Sequence, residues 1–257
     1  MRSVVFSALG AEVKGYLQED HDRLVRHKVR PCLILCPGGA YRWHSPREAD
    51  PVALRFLSMG YNVFILYYSV MENAQKQQPL RQIASTVKTV RERAAEFHID
   101  PSKVAVLGFS AGGHVACSLG VLWKELDLGE QARPDALILG YPVITAGEFA
   151  HEESMQWVTG GREEERTLFS LENHVTGDMP PTFLWHCVGD ESVPVENSIL
   201  LARAMQRAGV DYECHLFAGG AHGISTCTVE VETPYPSIAP WMELCQTWLN
   251  SRFDYVP

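Results

Sequence analysis

The chain lacks any apolar run of bilayer length. Its longest stretches, such as Val63 to Tyr68 and Val104 to Leu107, fall well short of the ~20 residues that a helical membrane crossing needs. Basic charge is also scarce. Lys plus Arg number 22 against 31 Asp plus Glu, a formal charge of −9, and no basic run interleaved with aromatics occurs, which argues against nucleic acid as a partner. Cysteine is present without a pattern: the seven residues Cys32, Cys36, Cys117, Cys187, Cys214, Cys227 and Cys245 are an odd, scattered set with no Cys-x-x-Cys. Four of them sit in apolar, strand-like runs, so buried free thiols are expected rather than disulfides or metal ligands. Walker loops, Gly-x-Gly-x-x-Gly fingerprints and metal-ligand pairs are missing as well. The expected chemistry needs no cofactor. Met1 to Asp20 holds no apolar block followed by a small-residue cleavage site, and the chain reads as a mature, soluble, cytoplasmic protein.

What is there is a rhythm. Apolar runs rich in β-branched and aromatic residues recur at Cys32–Cys36, Val63–Tyr68, Val104–Phe109, Ala136–Leu139, Thr182–Val188 and Cys214–Phe217, and they read as buried strands. Between them, Leu80, Ile83, Ala84, Val87, Val90, Ala94 and Phe97 repeat at helical spacing, with Arg81, Lys88, Glu92 and Glu96 on the other face. The same period recurs in Ala53, Leu54 and Leu57 before Gly60, in Leu201, Ala204, Met205 and Ala208 before Gly209, and in Trp241, Leu244, Cys245, Trp248 and Leu249. Glycine just past the last periodic residue is a helix stop signal. Alternating strands and helices imply one α/β domain over residues 1–257, a three-layer α/β/α sandwich around a mostly parallel sheet. A short antiparallel edge hairpin is expected near Val13–Leu17, ahead of the charged stretch Glu19–Lys28. About forty residues separate the runs ending at Leu139 and starting at Thr182, more than one crossover needs, so a lid insertion is expected at about 143–180.

The run Val104–Leu107 leads straight into Gly108-Phe109-Ser110-Ala111-Gly112 and then Gly113-His114. Small neighbours let a serine sit on a sharp strand-to-helix turn with its hydroxyl exposed beyond the sheet edge. A serine hydroxyl needs a base to take its proton and a third group to orient that base. Asp190 follows the run Thr182–Val188 and His222 follows Cys214–Phe217. In a parallel sheet the carboxyl ends of strands share one edge, so Ser110, Asp190 and His222 should converge there, in the chain order of this motif. Glu191 competes with Asp190 but comes second after the strand. Asp100 and Asp135 precede strands and belong at the opposite edge. His114, His186 and His215 read as packing or core histidines. His44, His151 and His174 fall in loops that can reach a pocket, where one of them could contact substrate. Acyl transfer also builds an oxyanion, which the glycine-rich segment Pro37-Gly38-Gly39-Ala40-Tyr41 and the amide of Ala111 could meet.

Together with Tyr141-Pro142-Val143-Ile144-Thr145 and Asp190-Glu191-Ser192-Val193-Pro194-Val195-Glu196-Asn197-Ser198, these segments resemble the α/β-hydrolase superfamily over nearly the whole chain. More narrowly they resemble the acetyl-xylan-esterase-like carbohydrate esterases, or sugar hydrolases, which stand near the hormone-sensitive-lipase-like esterases. The resemblance implies a Ser110, Asp190, His222 triad with oxyanion donors at Gly39, Ala40 and Ala111. It departs from the lipase-like His-Gly-Gly-Gly, with Pro37 in place of the histidine and Ala40 in place of the last glycine. Ser110 separates the chain from the dienelactone hydrolases, which use cysteine, and 257 residues leave no space for the propeller that peptidases of this fold usually carry. The implied activity is deacylation of a small-molecule ester, an acetylated sugar by preference, through an acyl-enzyme. A general short-chain carboxylesterase, an acyl-peptide-type amidase and a non-catalytic ligand-binding homologue are the alternatives. Tyr41, Trp43 and Trp157 are aromatics that could stack on a sugar ring or pack a lid, and the aromatic C-terminus, Trp241 to Tyr255, leaves a homodimer contact open.

Overall fold

The computed structural model describes residues 1–19 and 29–257, so most of the charged stretch after the N-terminal strands lies outside the described residues. The first two strands, β1 (Arg2–Ala8) and β2 (Ala11–Leu17), form the expected edge hairpin. Its two-residue turn, Leu9-Gly10, has both φ angles positive (47° and 84°), the backbone that matches the twist of paired strands. Next come β3 (Arg30–Cys36), α1 (Asp50–Ser58), β4 (Asn62–Tyr67), α2 (Gln78–Glu92), α3 (Ala94–Phe97), β5 (Ile99–Phe109) and α4 (Ser110–Leu122). The chain continues through β6 (Ala136–Gly140), α5 (Glu152–Thr159), α6 (Glu163–Leu168), β7 (Thr182–Cys187), α7 (Glu196–Ala208), β8 (Tyr212–Phe217) and α8 (Trp241–Phe253). The eight strands lie in the order β1-β2-β4-β3-β5-β6-β7-β8; the two pairings of β2 are antiparallel and the remainder parallel.

The period-two alternation of the central strands divides the core into two layers. Cys32, Ile34 and Cys36 of β3 and Val104 and Val106 of β5 pack with Ile83 and Val87 of α2, Val115 of α4 and Leu201 of α7. Leu33, Leu35, Ala105 and Leu107 face the other way, onto Val52 and Phe56 of α1 and Trp241, Cys245 and Trp248 of α8. Both faces of the sheet are therefore covered, and the strands read as continuous apolar runs for that reason.

Two local expectations are corrected. The single helix anticipated through Phe97 breaks at Arg93 (φ −99°, ψ 20°), whose guanidinium lies over the rings of Phe6 and Phe97 and pairs with Glu96. Leu54 and Leu244 sit one position off their apolar stripes and remain partly in solvent, at 44% and 38% exposure. The C-terminal aromatics Trp241, Trp248, Phe253 and Tyr255 are buried in the chain's own core. The cysteines are free and, except for the half-buried Cys214, buried. No helix among the described residues is long and apolar enough to cross a membrane.

Candidate active site

The carboxyl ends of β3, β5, β6, β7 and β8 all contribute to one cluster. β5 ends at Phe109 and α4 begins at once with Ser110. The turn is tight enough to hold Ser110 at φ +52°, a left-handed conformation that costs a non-glycine residue on the order of 1 kcal/mol or more. The neighbouring glycines are demanded by contact. A Cβ on Gly112 would stand 2.1 Å from the carbonyl oxygen of Cys36, and one on Gly108 would stand 2.1 Å from that of Gly112.

His222 and Asp190 meet Ser110 there. The Ser110 hydroxyl donates to His222 Nε2 at 2.8 Å, and His222 Nδ1–H donates to Asp190 Oδ2 at 2.7 Å. The other carboxylate oxygen of Asp190 accepts the backbone N–H groups of Ser192 and Val193, both at 2.9 Å. Burial by itself would raise the Asp190 carboxyl. Hydrogen bonding to His186 and His222 and the nearby imidazole charge outweigh it, holding the carboxyl well below the usual carboxylate range. Asp190 is thus an ionised, fully donated-to anchor for the base.

His186 is buried, as expected of a strand histidine, but it is not idle packing. Ser198 donates to its Nδ1 at 2.7 Å, which places the proton on Nε2; that N–H donates to Val193 O at 3.0 Å and faces Asp190 Oδ2 at 3.4 Å. Its position four residues before Asp190, on the same strand end, was the available signal. His114 is likewise satisfied: Tyr41 O–H donates to Nδ1 at 2.8 Å and Nε2–H donates to Phe169 O at 3.0 Å. Burial pushes this imidazole down to about 4.

The segment after β3 is pinned from several sides. Trp43 N–H and Arg42 N–H donate to Gly39 O, Ser45 N–H to Gly38 O, and Tyr68 O–H to Pro37 O. Gly38 N–H donates to Glu48 Oε2 at 2.8 Å, while Tyr141 O–H donates to Glu48 Oε1 at 2.6 Å. Tyr141 in turn accepts Ser225 N–H at 3.0 Å, and Ser225 Oγ–H donates to Arg47 O. One chain of bonds therefore joins the glycine loop, the end of β6 and the histidine loop. From the sequence, Glu48 beside the glycine loop could either bond that loop or face solvent, and the structure shows the bond; Tyr141 lay in a motif of the resemblance with no role assigned, although it directly follows a strand's carboxyl end, where ligands bind in such sheets. Gly39, at φ +123°, has no room for a side chain beside Trp43 O. Among the described residues the N–H groups of Gly39 and Ala40 donate to no protein acceptor, and Ala111 lies in the first turn of α4, where backbone N–H groups have no intrahelical partner.

A cavity of about 290 Å³ opens over Ser110 and His222, lined also by Trp43, Arg47, His151, Glu153 and Ser192. Of the three aromatics expected at the substrate, Trp43 reaches this cavity and is 51% exposed. Tyr41 does not: it is 1% exposed, held beneath the loop by its bond to His114. Trp157 packs half-buried against the core and leaves the rim to His151 and Glu153. Among the loop histidines, His44 stacks edge-on against Tyr67 and Tyr68 and His174 pairs with Glu125; His151 alone of the three lines the cavity. A larger hollow of about 680 Å³, between the hairpin turn and residues 67–82, contains none of the triad, and its buried amide, Gln82, is bonded to Leu9 and Ser69.

The chain is similar to endo-1,4-beta-xylanase B of Butyrivibrio fibrisolvens, with 36% identity over 212 residues, covering 78% of this chain and 33% of that protein. It is similar to the acetylxylan esterase of Xylanibacter ruminicola, 28% identical over 199 residues, covering 74% of this chain and 40% of that one. The chain thus spans between a third and two fifths of the length of these two curated relatives. Among solved structures it superposes on an acetyl ester-xyloside bifunctional hydrolase from Caldicellulosiruptor lactoaceticus with a TM-score of 0.84 and 35% identity, over 96% of this chain and 89% of the other. Residues 66–246, which carry Ser110, Asp190 and His222, match the model of the prolyl oligopeptidase family, and the chain belongs to that family of α/β-hydrolases.

Proposed function

We propose that this chain is a serine carboxylic-ester hydrolase that removes small acyl groups, acetyl above all, from sugars or oligosaccharides in the cytoplasm. The observation that carries the reading is the unbroken hydrogen-bonded row from Asp190 through His222 to a serine on a strained strand-to-helix turn. His222, held by Asp190, takes the Ser110 proton as Oγ attacks the ester carbonyl. The carbonyl oxygen then carries the negative charge, and the N–H groups of Gly39, Ala40 and Ala111 are the donors assigned to it. As the carbon–oxygen bond to the alcohol breaks, His222 returns its proton to the departing oxygen. A water molecule, deprotonated by the same imidazole, releases the acyl group from Ser110.

The cavity supports a polar alcohol portion: Arg47, His151, Glu153 and Ser192 surround the one exposed indole of Trp43. The segment 143–180 supplies His151 and Glu153 to that rim and is read as the lid. The relatives' names, acetylxylan esterase and acetyl ester-xyloside hydrolase, support the choice of acyl and alcohol.

Hydrolysis of 4-nitrophenyl acetate and of acetylated xylose by the wild type, reduced at least ~10⁴-fold in Ser110→Ala, is the expected result. Equal rates in both proteins refute the nucleophile. A preference for simple aryl esters over sugar esters identifies a general short-chain carboxylesterase instead, and cleavage of acyl-peptide amides identifies an amidase.

A further inference from the structure

His151 stands at the entrance to α5 with its ring divided between two tasks. Nδ1 accepts the Ser154 hydroxyl at 2.9 Å and the Ser154 backbone N–H at 3.3 Å, capping the helix. A ring nitrogen that accepts is unprotonated, so in the neutral ring the proton is on Nε2. Among the described residues Nε2 has no protein partner, and it is not one of the buried, unsatisfied atoms. It is therefore open to solvent in a residue that lines the cavity over Ser110 and His222. Burial, followed by the nearby His222 and opposed by Glu153, Asp190 and Glu152, lowers its pKa, which favours the neutral ring near pH 7.

Proton return fixes which part of a substrate lies near this group. The alcohol oxygen must come within hydrogen-bond reach of His222 to receive its proton, so the alcohol portion extends on the His222 side of Ser110. The acyl oxygen is directed the other way, to the glycine loop. An acetyl group offers no further hydrogen-bonding atom, whereas a sugar offers hydroxyl and ring oxygens.

Resting on the esterase reading for the identity of the bound molecule, we infer that His151 Nε2–H donates a hydrogen bond to an oxygen of the substrate's alcohol portion and selects polyhydroxylated alcohols over simple ones. A donor on the wall of the cavity has this effect because an alcohol without a matching acceptor leaves it unpaired on binding.

The test is His151→Asn, since asparagine is a good helix cap and its short side chain withdraws the outer donor. The quantity read is the ratio of kcat/KM for a monoacetylated methyl xyloside to kcat/KM for 4-nitrophenyl acetate, with the thermal midpoint as a check on folding. One neutral hydrogen bond predicts a fall in that ratio of about fivefold. The same substitution in a Ser110→Ala background should weaken binding of the acetylated xyloside by a similar factor, with no chemistry involved. A ratio and an affinity that both change less than about twofold in a folded variant overturn the inference. Failure of the underlying reading looks different: the wild type then hydrolyses no acetyl ester, or Ser110→Ala keeps its rate.

Discussion

Glu48 shows how a single carboxylate can set backbone geometry without touching the reacting atoms. It is 2% exposed, and its two oxygens are taken by Gly38 N–H and Tyr141 O–H. Glu48→Gln keeps the shape but turns one of those acceptors into a donor, so either the glycine loop or Tyr141 loses its partner. The loop N–H groups then shift relative to the carbonyl oxygen they are proposed to stabilise. Esterase kcat should fall about tenfold with a smaller change in KM; an unchanged kcat would show that the loop is held well enough by its own turns. The residue-scale chemistry was unevenly legible. Ser110, Asp190 and His222 follow strands and carry motif neighbours, whereas Glu48 sits in a short 3-10 turn, Pro46–Glu48, with no periodicity to mark it. Tyr41 and Trp157 are aromatic like Trp43, and sequence has no means of telling a ring under a loop from one above it.

At the scale of elements, the strand-to-helix turn from β5 into α4 is a tightly constrained joint. β5 lies between β3 and β6, and α4 crosses so close to the end of β3 that Gly112 touches the Cys36 carbonyl. Gly112→Ala places a methyl 2.1 Å from a backbone oxygen that belongs to the sheet and cannot swing away. The expected outcome is a loss of about 3 kcal/mol or more, or failure to fold, read from the urea midpoint. Gly209→Ala is the useful contrast. Gly209 also has positive φ, at +69°, but nothing lies within 4 Å, so the cost there is the backbone term alone, about 1 kcal/mol. If both substitutions cost the same, the close approach of α4 to β3 is not what demands glycine. Element identity was readable because the strand cores are apolar on both faces and helices such as α2 only on one, whereas α4 is buried all round. Element ends were less so. Arg93 interrupts a pattern that continues through it, and the interruption comes from rings of β1 and α3 that only the folded chain brings under its guanidinium.

For the molecule as a whole, acid should be the weak side. His114 is buried and its pKa lies near 4 against an ordinary 6.5. Below 6.5 the unfolded chain binds a proton that the native state refuses, so this contribution is complete above pH 6.5 and is lost as pH falls toward 4. The full difference amounts to about 3 kcal/mol. Asp190 acts in the next window: its folded pKa is depressed below 3.8, so its contribution is present above that value and disappears on further acidification. Urea midpoints at pH 7 and pH 4.5 should differ less in His114→Gln than in the wild type, by most of those 3 kcal/mol. An equal acid-side loss in both proteins would mean that other groups carry it.

The residues by themselves indicated the class of fold, because short runs apolar on both faces alternate with segments of helical period, a pattern that buries a mostly parallel sheet between helices. They also indicated that Ser110, Asp190 and His222 meet, because each follows a strand of a parallel sheet and the carboxyl ends of such strands share one edge. Tertiary structure decided what surrounds them. Glu48 came to the glycine loop, His186 to Asp190 and His151 to the cavity through turns and an insertion whose paths carry no local period. The paths of these loops depend on what packs beneath them, and that packing exists only once the sheet has formed.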